Sequence, residues 1–590
     1  MKDANRPFET VEHEVDVCVV GGGMSGLVAA LAAARHGATV ALMHDRPVLG
    51  GNASSECRMH ICGADRGAAN KDMRETGILE EIQMENLFRN PDHNYSVWDL
   101  VLYEKAMLQP GLTTILNCSC LDAAMEGDRI ASVTGWQTTT QTYQKVKAHL
   151  FVDASGDSVL APLTGAQFRV GREARSEFGE SVAPEQADRK TMGMTCMFVA
   201  REYDTVQPYT APDWVQHFET GDELPYGGRF RFSGLPTPVT GGYWWVELGG
   251  EQDSIRDTEV LRHELLRITL GVWDYIRNRA DCGAANWALD WLQFLPGKRE
   301  SRRYVGDHIL TQNDVQAEGK FEDIVAYGGW SMDDHHPAGF RAVKLGEPPS
   351  IFHPAPAPYG IPYRCLYSRN IANLVFAGRN ISATHSAMSS TRVMATCAIM
   401  GEAVGTAAAM AIARGVLPRD INAHMGELQQ RLLWDDCYLP WTPMQIPEPI
   451  GSAKLSGPGN PEALRDGFSR PVGDESHAWV GHVGEAVEYT FAEARRIEEV
   501  FLVLDSDLNT NIRITCTHTG APALVMPRTL VRGFRVEGCV KGQWQELYRE
   551  ADNHQRLVKV KLSQVLEGLR FCPESTWGAE EFRVFSFVAR

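Results

Sequence analysis

The chain opens with short apolar runs on either side of a stretch rich in Ala and Leu. Residues 15–20 and 39–43 are largely apolar, and residues 25–36 consist mainly of helix formers. Short apolar runs bounded by turn residues indicate buried strands, and Ala and Leu favour a helix. The pattern predicts a βαβ unit with a right-handed crossover. Further elements are predicted as a helix over 95–108 and strands over 113–116, 129–136 and 146–154.

The pattern becomes mixed between residues 158 and 325, with apolar strands predicted at 196–200 and 243–248. Within 256–277, apolar residues recur every three or four positions, which predicts a helix with one face on a core. This stripe comprises Leu261, Leu265, Ile268, Val272 and Ile276. The chain then returns to a predicted strand at 374–377 and a long predicted helix over 390–414. We interpret the middle of the chain as an inserted α+β domain that covers a substrate.

Six prolines between residues 438 and 461 prohibit regular structure there and predict a linker. Short apolar strands follow at intervals typical of a β-sandwich. We therefore expect an independent all-β domain at the end of the chain. Its strands are predicted at 487–491, 500–504, 512–517, 534–540, 557–562 and 582–587.

Composition narrows the classes of function. The 590 residues carry a net charge of −18, which disfavours a nucleic-acid partner, since such proteins need a basic face. Residues 1–14 lack the apolar centre of a signal peptide, and no run of 18 apolar residues predicts a membrane span. The 13 cysteines are scattered, which is typical of reduced thiols. We expect a cytoplasmic protein whose oligomeric state the sequence leaves open.

A glycine-rich turn lies between the first predicted strand and helix. Residues 21–26 match G-x-G-x-x-G in the context that dinucleotide binding requires. Gly21 permits the tight turn, Gly23 lets the backbone approach a pyrophosphate, and Gly26 permits close helix packing. An acidic residue is expected about 20 residues later, but His44 occupies that position and Asp45 follows it. Either side chain could bind the ribose.

Several separated motifs give a wider resemblance. Residues 46–56, 151–157, 373–382 and 389–394 resemble segments of the FAD-dependent oxidoreductases in the two-dinucleotide-domain flavoprotein superfamily, which also contains fumarate reductase-like and heterodisulfide reductase-like proteins. The resemblance covers about residues 1–435 and implies FAD as the cofactor. It implies FAD contacts from Gly21, Gly23, Met24, Ser25, Gly26, His44, Asp45, Gly50, Gly51, Asn52, Ser54, Ser155, Gly156, Asp157, Gly378, Arg379, Thr391 and Arg392.

The resemblance and the pattern together predict an α/β fold. A Rossmann-type FAD-binding domain is formed by residues 1–157 and 326–437, and it contains the inserted substrate domain at 158–325. The linker spans 438–461. Residues 462–590 resemble a galactose-binding-like jelly-roll sandwich of the discoidin type, in which Trp479 and Trp544 are candidates for sugar contacts or for packing.

Residues 328–337 hold two carboxylates and two imidazoles in one turn-rich segment. Removing a hydride from a carbon that bears a hydroxyl requires a base, and histidine has a suitable pKa. His335, His336 and His385 are therefore the catalytic candidates. The alternative is that they pair with structural carboxylates.

Two further clusters have alternative interpretations. Residues 298–303 either clamp an anionic substrate or form a salt-bridged basic face. Cys57 and Cys62 flank His60, but four metal ligands are not in view, so we predict no metal site and interpret them as a thiol-lined loop.

The leading hypothesis is a dehydrogenase or oxidase that transfers a hydride between flavin N5 and a hydroxylated small molecule, with a sugar or glycoside as the candidate substrate. The first alternative is a flavin-dependent RNA-modifying enzyme. The second is a non-redox carbohydrate-binding protein with structural FAD.

Overall fold

The computed structural model describes residues 8–228, 243–280, 282–515 and 523–590. Residues 1–7 of the polar stretch 1–14 lie outside these ranges. The described chain has a mixed α/β part followed by an all-β sandwich.

The first segment forms most of a seven-stranded sheet. β1 and β2 pair in parallel on either side of α1, which confirms the predicted βαβ unit. The elements are β1 Thr10–Val20, α1 Met24–Arg35, β2 Val40–Met43, α2 Ile78–Arg89, α3 Tyr95–Met107, β3 Leu112–Ile115, β4 Cys118–Glu126, β5 Arg129–Gln137 and β6 Thr142–Asp153. The strand order is β3-β2-β1-β6-β5-β4, with antiparallel pairing from β6 to β4.

The inserted segment packs around a second hydrophobic core. All five residues of the predicted apolar stripe are buried in it, on a helix that spans Thr258–Asn278. This core also contains Phe340, so it extends past the predicted boundary at residue 325. The elements are α4 Leu160–Thr164, β7 Phe168–Arg169, α5 Arg175–Phe178, β8 Met194–Thr195, β9 Phe198–Glu202, β10 Glu247–Leu248, α6 Thr258–Asn278, β11 Trp287–Leu292, β12 Gly297–Lys298, β13 Arg303–Tyr304 and α7 Gln312–Gln316.

The chain then returns to the first sheet. The elements are β14 Ile324–Gly328, β15 Met332–His335, β16 Ser350–His353, β17 Tyr359–Pro362, β18 Leu374–Phe376, α8 His385–Thr391, α9 Met394–Arg414 and α10 Met425–Trp434. β18 pairs in parallel with β6 and supplies the seventh strand.

The helix predicted over 390–414 is two helices, because Val393 is extended (φ −66°, ψ 144°) between α8 and α9. α9 packs closely on α1: a Cβ on Gly401 would lie 2.1 Å from the Ser25 carbonyl oxygen. By length and composition α9 could cross a membrane, but 94% of its apolar window is buried inside the protein.

The sandwich differs from the prediction in several places, and its strands at Trp479–His482 and Gln543–Glu550 were not predicted. The strands predicted at 487–491 and 500–504 are one 18-residue strand. No strand forms over 512–515, and residues 516–517 lie outside the described ranges. The elements are α11 Glu448–Gly451, β19 Lys454–Ser456, β20 Trp479–His482, β21 Val487–Leu504, β22 Val531–Val540, β23 Gln543–Glu550, β24 Leu557–Thr576 and β25 Glu581–Ala589. Neighbouring strands are antiparallel, in the order β20-β25-β21-β24-β22-β23, with β19 beside β21.

The predicted linker is packed structure. It contains α11 and β19, and Tyr438, Leu439 and Ile450 within it are buried in the core shared with the sandwich. Proline prevents a long helix here, but it does not prevent apolar side chains from packing.

The sandwich contacts residues 65–80, which lie between β2 and the first turn of α2. The buried Arg74 guanidinium pairs with Glu80 and donates to the carbonyls of Ser506, Asp507 and Thr510. These carbonyls are buried away from water and depend on the guanidinium for their hydrogen bonds. Arg74 therefore holds the sandwich against the first part of the chain. Close by, Arg513 pairs with Asp65, and Asn509 bonds Asp72 in both directions.

Candidate functional site

One cavity of about 1090 Å³ runs between the first sheet and the inserted segment. One end is formed by the glycine turn after β1, the end of β2 and the turn after β6. The other end is formed by β15, residues of the inserted segment and the start of α9. Ligands in open α/β sheets bind at the carboxyl ends of the strands, where this cavity lies.

The glycine turn has the shape that a dinucleotide requires. Gly21 has φ +105°, and a Cβ there would lie 2.5 Å from the Ala154 backbone. A Cβ on Gly26 would lie 1.8 Å from the Gly21 carbonyl oxygen, so this glycine serves packing. A Cβ on Gly23, by contrast, would meet no protein atom within 4 Å. The turn leaves open space at the start of α1, whose N-terminus no side chain caps, and a pyrophosphate fits there.

The end of β2 places His44 and Asp45 in different surroundings. His44 Nδ1 accepts from the Gly22 N–H at 2.9 Å, and its Nε2 lies 3.1 Å from the Val48 carbonyl oxygen. Burial lowers the pKa of His44 to about 4, so the ring is neutral and supports the turn. Asp45 lines the cavity with 58% of its side chain exposed. It is the side chain available for a ribose hydroxyl.

Asp157 ties three segments of the chain together. Arg379 and Lys298 each approach one of its carboxylate oxygens at 2.7 Å, and Ser301 donates to it at 2.8 Å. Burial would raise the pKa of Asp157, but Arg379 and Lys298 outweigh it and hold this pKa well below its usual range. The ion pairs fix the returning and inserted segments against the turn after β6.

The cavity gathers most of the residues that were expected to contact FAD. Gly26, Ser54 and Thr391 do not line it: Gly26 packs α1, the Ser54 hydroxyl donates to the Gly51 carbonyl at 2.7 Å, and Thr391 is buried at the end of α8. The expected residues that line it are Gly21, Gly23, Met24, Ser25, His44, Asp45, Gly50, Gly51, Asn52, Ser155, Gly156, Asp157, Gly378, Arg379 and Arg392.

His335 lines the cavity between two carboxylates. Its Nδ1 lies 2.7 Å from Glu247 Oε2, and its Nε2 lies 3.3 Å from Asp333 Oδ2. Burial alone would lower the pKa of His335, but Glu247 and Asp333 outweigh it and raise this pKa. With a carboxylate oxygen facing each ring nitrogen, both nitrogens donate, and the charged ring has no lone pair to accept a proton.

His336 and His385 do not line the cavity. His336 pairs with Glu347 at 2.7 Å. His385 lies between Glu300 at 2.9 Å and Asp334 at 3.0 Å. Although burial opposes it, these two carboxylates raise the pKa of His385 to about 10. The surroundings of both rings match the structural alternative, in which the histidines pair with carboxylates.

Three side chains at the end of the cavity formed by β15 and the inserted segment could not be identified as site residues from the sequence. Trp244, Trp330 and His60 line the cavity, and the His60 ring centroid lies 5.7 Å from that of Trp244. Within the described ranges, His60 has no hydrogen bond or ion pair. In the sequence, His60 is marked only by its position between two cysteines, in a loop without periodicity.

The basic segment 298–303 serves several purposes. Arg299 is buried and lines the cavity, where it donates to the Thr195 hydroxyl at 2.6 Å. Arg303 is buried elsewhere and pairs with Glu173 and Glu300. Arg299 and Arg302 of the segment thus line the cavity, whereas Arg303 belongs to a closed network of ion pairs.

The candidate cysteines and the two candidate tryptophans of the sandwich are less accessible to a ligand than expected. Cys57 and Cys62 line the cavity, but burial raises the pKa of their thiols to about 11 and about 12. Among the residues described, no three His, Cys, Asp or Glu side chains form a metal cluster. Trp479 is fully buried in the sandwich, and Arg570 lies 3.9 Å from the ring centroid of Trp544. Trp479 therefore cannot stack on a sugar, and one face of Trp544 is covered.

The family model described as FAD dependent oxidoreductase matches residues 16–432, more than two thirds of the chain. No curated protein matches the chain. A family 32 carbohydrate-binding module of Streptococcus pneumoniae EndoD is 12% identical over 24% of this chain and 97% of its own, with a TM-score of 0.19. L-proline dehydrogenase of P. horikoshii is 22% identical over 25% of this chain and 24% of its own, with a TM-score of 0.16.

Proposed function

This chain belongs to the FAD-dependent oxidoreductase family, and we propose that it oxidises a hydroxylated small molecule, with a sugar or glycoside as the candidate substrate. It is an enzyme whose cofactor is FAD. Bound FAD supplies a two-electron acceptor, so a hydroxyl-bearing carbon can lose a hydride. The proposal concerns the substrate and the protein groups that act on it.

The continuity of the cavity is the main support for this proposal. The same space reaches from the open turn at Gly23 to the indole rings of Trp244 and Trp330. At about 1090 Å³ it is slightly larger than the range of about 300–1,000 Å³ that is usual for one small molecule. The extra room suits a dinucleotide with a small substrate beside it. Indole rings next to carboxylates are the groups that bind polyhydroxylated molecules through stacking and hydrogen bonds.

We assign the removal of the hydroxyl proton to His60. A base must present a free lone pair within hydrogen-bond reach of the substrate. His335 lacks one because it is charged between Glu247 and Asp333. His60 lines the same space with its ring nitrogens unused by the described protein groups. It can accept the proton while Trp244 holds the substrate.

Anaerobic mixing of the purified holoenzyme with sugars, polyols and hydroxy acids tests both parts of this proposal. A substrate should bleach the flavin absorbance. In a His60→Ala variant the bleaching should slow by about 10²- to 10⁴-fold, with unchanged FAD content. His336→Ala is the matched control, since that ring lies outside the cavity lining, and it should bleach at the unmodified rate.

Two outcomes would count against the proposal. If no hydroxylated compound reduces the flavin, the substrate class is wrong. If His60→Ala reduces the flavin as fast as the unmodified enzyme does, His60 is not the base.

A further inference from the structure

The cavity is basic although the chain is acidic. Among the described residues, seven arginines and lysines line it against four carboxylates. The whole chain carries a net charge of −18. A local excess of one sign inside a low-dielectric cleft raises the concentration of oppositely charged ligands there. The pyrophosphate of FAD accounts for two negative charges at the glycine turn, so the substrate side needs separate consideration.

Three cationic side chains meet two carboxylates on the substrate side. His335 contacts both Glu247 and Asp333, at 2.7 and 3.3 Å. Arg299 lies 3.4 Å from Glu247, and Arg392 lies 3.3 Å from Asp333. With His335 charged, this cluster carries one positive charge more than its carboxylates neutralise. Because three cations share two carboxylates, an anion bound here is stabilised.

Arg392 is the member best placed to meet a ligand. It lines the cavity, and its Nη2 donates a hydrogen bond to the Asp333 carbonyl at 3.0 Å. Its buried Nε has no partner among the described residues. Arg392 also precedes α9, whose 21-residue length gives a positive N-terminal dipole, and Val393 and Met394 at that end line the cavity. These groups together present donors and positive potential to one region.

We propose that the substrate of this enzyme carries a carboxylate in addition to its reacting hydroxyl, and that Arg299 and Arg392 bind this carboxylate. The inference rests on the proposed function and refines its substrate class to sugar acids and related hydroxy acids. A carboxylate brings one negative charge and matches the single excess charge of the cluster. A phosphate ester brings about 1.5 to 2 negative charges and would leave the cluster overcompensated. A guanidinium fork also matches the planar carboxylate geometrically.

The test compares pairs of compounds that differ only in the carboxylate. Glucuronate and glucose form one pair, and gluconate and sorbitol form another. Each is titrated into the holoenzyme under anaerobic conditions while the flavin spectrum is recorded, so that both binding shifts and bleaching are measured. The acids should perturb the spectrum at concentrations at least about tenfold lower than their neutral partners, and this advantage should shrink as salt is raised.

Variants locate the effect. Arg392→Gln should raise the half-saturating concentration of the acids at least about tenfold while leaving that of the neutral partners unchanged. Arg392→Lys keeps the charge and should recover part of the affinity, which guards against a folding defect in the first variant. Arg341→Gln is the control, because Arg341 is exposed and pairs with Glu264 outside the cavity lining. It should bind like the unmodified enzyme.

The outcomes separate this inference from the proposed function. Neutral sugars that bleach the flavin as readily as the acids would overturn the carboxylate site and leave the proposed function standing. Acids that shift the spectrum in an Arg392-dependent way without bleaching would support the site and count against the hydride reaction. No response to any acid at full FAD content would overturn the inference.

Discussion

Replacing Gly23 with alanine separates cofactor binding from folding. Gly23 lines the cavity, has the ordinary extended backbone angles φ −64° and ψ 177°, and has open space where a Cβ would point. The methyl group therefore meets no protein atom, and the stability of the apoprotein should change by no more than about 0.5 kcal/mol. If the FAD pyrophosphate occupies that space, the methyl group overlaps it. Overpacking of this kind costs about 1–3 kcal/mol, which corresponds to an FAD affinity about 5- to 150-fold weaker.

The comparison needs two further variants. Gly26→Ala places a methyl group 1.8 Å from the Gly21 carbonyl oxygen, so α1 must shift and the apoprotein itself should lose stability. Gly426→Ala is the matched control, because a Cβ there also meets nothing, but the position lies near the start of α10 and outside the cavity lining. It should keep both stability and FAD affinity.

The assay titrates FAD into each apoprotein by flavin fluorescence and records the thermal unfolding of the same samples. Gly23→Ala should lose affinity with an unchanged melting temperature, and Gly26→Ala should lose both. An unmodified FAD affinity in Gly23→Ala would refute the placement of the pyrophosphate. An equal loss in Gly426→Ala would show that the effect is not local.

Two further predictions concern stability. Burial raises the pKa of Glu402 to about 8, so folding favours its protonated form; its stabilising contribution is complete below about pH 4.5 and is lost as pH rises to about 8. Glu402→Gln should therefore flatten the decline of melting temperature between pH 5 and 8, and a decline as steep as that of the unmodified protein would contradict this. Arg74→Met leaves Glu80 buried without its partner, at 1% side-chain exposure, and should cost about 3–5 kcal/mol in chemical denaturation. The double variant with Glu80→Gln should recover part of this loss, and equal stability of Arg74→Met and the unmodified protein would show that the sandwich is held by other contacts.

Local signals were sufficient for the βαβ unit at the start of the chain. A strand, a glycine turn and a helix are specified by neighbouring residues, and the structure has them in that order. The prediction missed residues 10–14 of β1, since this polar stretch carries no apolar run yet pairs with β6. Strand pairing between distant segments supplies what the local pattern lacks.

The packing of the sandwich could not be predicted from local signals. Prolines mark the absence of a long helix, but they do not reveal that Leu439 and Ile450 are buried. Nor does the sequence indicate that Arg74 finds its carbonyl partners more than 400 residues away. Such contacts depend on tertiary arrangement, and a domain boundary inferred from composition overstates the independence of the two parts.

The histidine-rich segment shows why motif density did not identify the base. β15 ends at His335, and successive side chains of a strand point to opposite faces. Asp333 and His335 therefore line the cavity, whereas Asp334 contacts His385 on the other side. The period of the strand divides one cluster into two networks. Without the strand assignment, the four residues appear as a single site.

His335 and His60, two of the three imidazoles that line the cavity, receive different roles from their surroundings. His335 lies between Glu247 and Asp333, which stabilise its charged form, so it can attract an anion but cannot accept a proton. His60 has no carboxylate partner among the described residues and packs beside Trp244, so no described protein group occupies its ring nitrogens. Pairs of titratable groups whose environments differ in this way divide acid, base and binding roles in many active sites. If the substrate carboxylate binds near Arg392 and the hydroxyl faces His60, the charge that fixes the substrate and the base that acts on it are separate groups. Loss of His60 should then slow the reaction without weakening acid binding, and loss of Arg392 should weaken acid binding without removing the base.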